Sequence, residues 1–177
     1  AGAISRVVAI DGKRYTLNAS DFPQTHETLQ HQMHALNLKR RSRGVFDWEL
    51  AASVYGYGRD LARAYALTSA AQPQAGRITD QGGTGWRTLA AKGTWRPGAA
   101  DGVAGDHTVD VGLGQDTHLL RTQVHTTGDW QAGAAGAFAS RFDGNTRLRS
   151  LWAQDAWTFA PDWAAVLGLR AEHWQAW

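Results

Sequence analysis

The sequence predicts an all-β fold: an antiparallel transmembrane β-barrel meander, present in part, with about six long strands, a small hairpin and an open, curved sheet. Three observations predict it. Segments of alternating apolar and polar residues recur along the 177 residues, and period two marks a strand with two unlike faces. Large aromatics stand beside the short connections: Trp157, Phe159 and Trp163 around Ala160-Pro161-Asp162, Phe46 and Trp48 after 40–44, and Trp95 before 97–106. Short and long connections alternate along the chain, which is the asymmetry of outer-membrane barrels. Aromatic rings with a polar edge settle at the bilayer interface and form a girdle there. Phe46, Trp48, Trp95, Trp157, Phe159 and Trp163 are the expected girdle.

The elements follow in order. Residues 5–18 contain Asp11-Gly12, a two-residue hairpin signal, between two short apolar runs. A strand is expected over 28–40, then a basic turn, then a strand over 45–59. In that strand Phe46, Trp48, Leu50, Ala52 and Val54 share one face, and Asp47, Glu49, Ser53, Tyr55 and Tyr57 the other. A long loop is expected over 61–83, with one or two helical turns possible within 60–71. The strand at 84–96 sets Leu89, Ala91, Gly93 and Trp95 against Thr88, Lys92, Thr94 and Arg96. The strand at 107–122 sets Val109, Val111 and Leu113 against Thr108, Asp110 and Asp116. A second long loop is expected over 128–145, and a final hairpin over 146–174. Tyr55, Tyr57, Trp86, Trp130 and Trp174 gather towards the long-loop end, where a second girdle is expected.

Composition narrows the function. The net charge of +2 implies no strongly charged partner. The basic run from Lys39 to Arg43 falls in a turn with no aromatic platform for bases, so no nucleic-acid partner is expected. Cysteine is absent, which excludes disulfides, thiolate metal sites and cysteine nucleophiles. No apolar run approaches the roughly 18 residues of a spanning helix. The chain begins with Ala1 and reads as an internal or processed piece of a longer protein, part of a single barrel domain over 1–177.

No enzyme is expected. His26, His31 and His34 lack the i, i+4 spacing of a zinc helix. Gly56-Tyr57-Gly58 and Gly112-Leu113-Gly114 do not complete a dinucleotide fingerprint, and glycine in a strand marks a bend or bulge. Asp155 and Glu172, on neighbouring strands with Arg149 and Arg170, suggest a charge ladder on a wet face rather than an acid–base pair. No nucleophile elbow is present. Neither a catalytic residue, a metal site nor a cofactor is expected.

Several segments resemble a known family. GWRTLAAKGTWRP (85–97), TVDVGLGQDTHLL (108–120), GDW (128–130) and TRLRSLWAQDAWTFAPDWAAVLGLRAEHW (146–174) are similar to barrel strands of TonB-dependent outer-membrane receptors. HQMHALNLKRR (31–41) and FDWELAASVYGYGRD (46–60) resemble two more. The most specific pieces are Gln154-Asp155 and Gly168-Leu169-Arg170. The resemblance covers roughly residues 26–177. It implies a place in the bacterial outer membrane and a barrel of about 22 strands around a plug domain. It further implies import of a large scarce solute such as a ferric siderophore or cobalamin, driven by the TonB complex through the plug. No plug segment is visible in this chain. Trp86, His125 and Trp130, near the long loops, are the candidate solute contacts. Two alternatives stand beside this reading: a self-contained eight-stranded outer-membrane protein, adhesin or permease, and a soluble β-sandwich that binds a partner.

Overall fold

The computed structural model of the chain describes residues 6–17, 24–42, 44–66, 74–99 and 106–177. The described residues form nine strands and no helix: β1 Arg6–Ile10, β2 Lys13–Leu17, β3 Thr25–Arg40, β4 Phe46–Tyr65, β5 Gly76–Asp80, β6 Gly85–Trp95, β7 His107–Thr127, β8 Phe138–Ala160 and β9 Trp163–Ala176. β1 and β2 make a two-stranded sheet of their own. The larger sheet runs β3-β4-β5-β7-β8-β9, with β6 also lying between β4 and β7, so β3 and β9 are its edges. The registers of β4–β5, β4–β6, β5–β7, β6–β7 and β8–β9 are antiparallel.

Six of these strands are long, and the first hairpin turns at Asp11-Gly12, both at positive φ, as a primed two-residue turn requires. The strands outrun their expected ends. β4 continues through Tyr65, so residues 60–65 are extended and not helical; residues 67–71 lie outside the described part. β5 occupies part of the expected first long loop, and β8 begins at Phe138 inside the second.

The chain divides into two compact units. The first comprises Ala1–Gln30, Arg59–Gly82 and Arg121–Phe142. Here β5 pairs with β4 (Ala62↔Thr79, Ala64↔Arg77) and with β7 (Ile78↔His125). Ala75, Ile78 and Trp130 are buried. Gly76 is required at its position, because a side chain there would run into the Ala64 carbonyl and the Trp130 Cβ.

The second unit comprises His31–Gly58, Gly83–Leu120 and Asp143–Trp177. Its ladders put opposite residues on one face. Successive rows of the first face read Phe46–Trp95–Val109, Trp48–Gly93–Val111, Leu50–Ala91–Leu113, Ala52–Leu89–Gln115 and Val54–Arg87–Thr117. The rows between them read Asp47–Thr94–Asp110, Glu49–Lys92–Gly112 and Ser53–Thr88–Asp116. On β8 and β9, Leu151–Ala171, Ala153–Leu169 and Trp157–Ala165 alternate with Ser150–Glu172, Trp152–Arg170 and Gln154–Gly168. Arg149 donates to Gln115 and His107 meets Asp155, so the odd positions of β8 share the apolar face.

The apolar face is uncovered. Leu50, Leu89, Leu113, Leu151, Leu167 and Leu169 are 46–71% exposed, and no large side chain among the described residues is fully buried. The hydrophobic rows therefore do not converge in a dry core. Asp155 does not pair with Glu172: the register sets Asp155 opposite Leu167 and Glu172 opposite Ser150, on opposite faces. The ladder of Asp155, Arg149, Arg170 and Glu172 is therefore split between two faces. Asp155 instead meets His107 at 2.8 Å, at the aromatic end of the apolar face, where Trp157 stacks on the imidazole.

Candidate functional site on the polar face

The alternation that bares one apolar face concentrates polar chemistry on the other. Its order begins at the short connections. Asp47, buried, accepts from the Ser42 amide at 2.6 Å, the Ser42 hydroxyl at 2.8 Å and the Arg96 guanidinium at 2.8 Å. Arg96 also donates to the Gly44 carbonyl, so this one carboxylate ties the basic turn to the end of β6. Lys92 reaches Asp110 at 3.0 Å, Thr94 donates to the same carboxylate, and Asn37 donates to Glu49 at 2.7 Å. Lys39, Arg41, Glu49, Lys92 and Arg96 help to line a cavity of about 340 Å³ here.

The middle of the face turns on a glycine. Trp152 on β8 lies so close over Gly112 on β7 that a Cβ there would meet its indole ring. The Lys92 ammonium sits 5.9 Å from the centre of the same ring. Arg170, opposite Trp152, pairs with Glu172 at 2.6 Å. The Ser53 and Thr88 hydroxyls bond to each other across β4 and β6.

Towards the long connections the face becomes aromatic. His31 stacks on Tyr57 with ring centres 4.0 Å apart and planes 5° from parallel, and its Nδ1 lies 2.9 Å from the Tyr55 hydroxyl. Tyr55 stacks in turn on Trp86 at 5.7 Å. Tyr55, Tyr57 and Trp86, but not His31, help to line a cavity of about 300 Å³, whose other residues include Val54, Gly85, Arg87 and Leu119 of the apolar-face parity. Gly85 lies against the Tyr55 carbonyl, where any Cβ would collide, which keeps the cavity floor bare backbone. The ring cluster offers flat ring faces, a surface suited to a ring-bearing ligand.

The residues expected to matter are distributed as follows. Phe46, Trp48, Trp95, Trp157, Phe159 and Trp163 are all exposed beside short connections. Trp86 belongs to the aromatic cluster. His125 belongs to the first unit, edge-on to Phe138 and near the Gly136 carbonyl. Trp130 belongs to the first unit and is buried, with its Cβ against Gly76. The expected second girdle does not form on the apolar face: Tyr55, opposite Trp86, lies in the polar rows, and Trp174, opposite Leu148, shares the parity of Glu172. Sequence reasoning missed His31 as the partner of both tyrosines. The signal was its odd position on β3, which it shares with Asn37. Among the described residues no group of three or more His, Cys, Asp or Glu could hold a metal ion.

No protein-family model matches the chain, and no curated protein or solved structure is significantly similar to it.

Proposed function

We propose that the chain is part of the wall of an outer-membrane transport barrel, with its apolar face against lipid and its polar face towards a wet or plugged lumen. One observation carries this reading: an antiparallel sheet has large apolar residues exposed along one face and ion-paired, hydrogen-bonded groups along the other. In water such an apolar face is a liability; in a bilayer it is the solvated one. The aromatic residues at the short connections supply the interface girdle. The free edges of β3 and β9 leave backbone groups that a bilayer cannot satisfy, so further strands complete the wall.

The resemblance to TonB-dependent receptors makes the solute a large scarce compound such as a ferric siderophore or cobalamin. Uptake would then be energised by the TonB complex through a plug domain. The aromatic cluster around Trp86 is the part of this wall best built to touch such a solute. The closed eight-stranded reading needs β3 to pair with β9, and the strand order favours the open wall instead. The β-sandwich reading needs the apolar rows to pack on one another, and their exposure disfavours it.

Reconstitution into liposomes tests the proposal. The chain should float with the lipid, and acyl-brominated lipid should quench its tryptophan emission. Replacing Trp157 and Trp163 with Leu should remove much of the quenching by lipids brominated near the headgroup. A lipid-free chain with unquenched emission would refute the membrane reading.

A further inference from the structure

The apolar face ends differently at its two limits. At the short connections it ends in aromatic rings. At the other limit it ends in arginine. Arg87 stands in the row Val54–Arg87–Thr117, Arg149 stands opposite His173, and Arg147 stands opposite Gln175. All share the lipid-side parity of Leu50, Leu89 and Leu151.

The spacing between the two limits is similar on β6, β8 and β9. Arg87 to Trp95 spans nine residues on β6, and Arg149 to Trp157 spans nine on β8. His173 to Trp163 spans eleven on β9. A tilted strand crosses the hydrocarbon in about 9–11 residues, so one crossing separates the rings from the cations.

The company these cations keep is also distinctive. On the polar face Lys92, Arg96 and Arg170 each hold a carboxylate. Among the described residues, no carboxylate pairs with Arg87, Arg147 or Arg149. Arg149 donates only to the neutral Gln115, and Arg147 lies over the Trp177 ring at 5.1 Å. None of the positions opposite them is acidic. A guanidinium at the edge of an apolar belt extends its stem along the apolar surface and presents its charge to the headgroups.

We infer that Arg87, Arg147 and Arg149 form a binding band for anionic lipid headgroups that end in an exposed phosphate, in the leaflet on the side of the long connections. The inference rests on the membrane reading above and adds a lipid preference to it. The guanidinium fork matches phosphate oxygens in two-point contact, which no headgroup lacking an exposed phosphate offers as well. The same band fixes the depth of the sheet, because rings anchor one interface and arginine–phosphate contacts the other.

Competition between spin-labelled phosphatidic acid and phosphatidylcholine tests this with the full chain in phosphatidylcholine bilayers. Motionally restricted lipid should be present, phosphatidic acid should be preferred, and salt should weaken the preference. In Arg87→Gln/Arg147→Gln/Arg149→Gln the preference should fall towards unity, each arginine accounting for up to about fivefold. The corresponding triple Lys variant should keep only the part that charge alone supplies, and Lys92→Gln/Arg170→Gln on the polar face should leave the preference unchanged. Restricted lipid without a preference for phosphatidic acid, or a preference that survives the triple Gln change, would overturn the inference and leave the membrane reading standing. Loss of the preference on adding millimolar inorganic phosphate at constant ionic strength would overturn it too, by making the band a free-phosphate site. Absence of any restricted lipid would overturn both.

Discussion

Leu113→Arg should stop the chain from folding stably in a bilayer while leaving its behaviour in aqueous denaturant almost unchanged. Leu113 is 52% exposed and lies in the middle row of the apolar face, with Leu50 and Ala91. One row of the same face separates it from the Phe46–Trp95 row and one from the arginine row. An arginine at the lipid midplane of a β-barrel costs about 2–4 kcal/mol. The same change at an exposed site in water lies within about 0.5 kcal/mol of neutral. Folding yield and urea midpoints in lipid, compared with Thr88→Arg on the polar face, read the difference. The Thr88 variant should lose far less, because its side chain enters the wet rows. Equal losses would remove the distinction between the faces.

Gly112→Val should have the second largest effect. Gly112 is the place where the polar face admits a ring, and any side chain there must displace the Trp152 indole. Displacement also removes the ring beneath the Lys92 ammonium and disturbs the position opposite Arg170. Overpacking of this kind costs about 1–3 kcal/mol. The cause is identified by a second change. Trp152→Ala alone should destabilise by opening a gap, and combined with Gly112→Val it should recover much of the loss, a coupling visible in a double-mutant cycle. Additive losses would mean that the contact between β7 and β8 is not what the valine disturbs.

The strands that could be read in the sequence are those whose two faces differ most. Phe46 to Val54 alternates so cleanly that both the strand and its facing follow from period two alone. The same holds for Thr88 to Trp95 and Val109 to Leu113. What could not be read depends on partners. β5 lies in a stretch rich in small and polar residues, and it is a strand because β4 and β7 pair with it on both sides. β4 and β7 run on past their apolar rows for the same reason. The relation of Asp155 to Glu172 depends on register, which a single strand does not encode. The tyrosines and tryptophans near the long connections looked like a second girdle because distance along a strand is visible in sequence. The side they face is set by parity across the ladder, which puts Tyr55 and Trp86 on the polar face and leaves Arg87 on the apolar one.

The central claim is that one face of this sheet meets lipid and the other meets water. A nitroxide scan along β7 from Val109 to Thr117, in liposomes, tests it most directly. Accessibility to oxygen and to a water-soluble nickel chelate should oscillate with period two and in opposite phase. Labels at 109, 111 and 113 should favour oxygen, and labels at 110 and 116 should favour nickel. Both parities equally open to nickel, or the odd positions shielded from both reagents as in a packed interior, would contradict it.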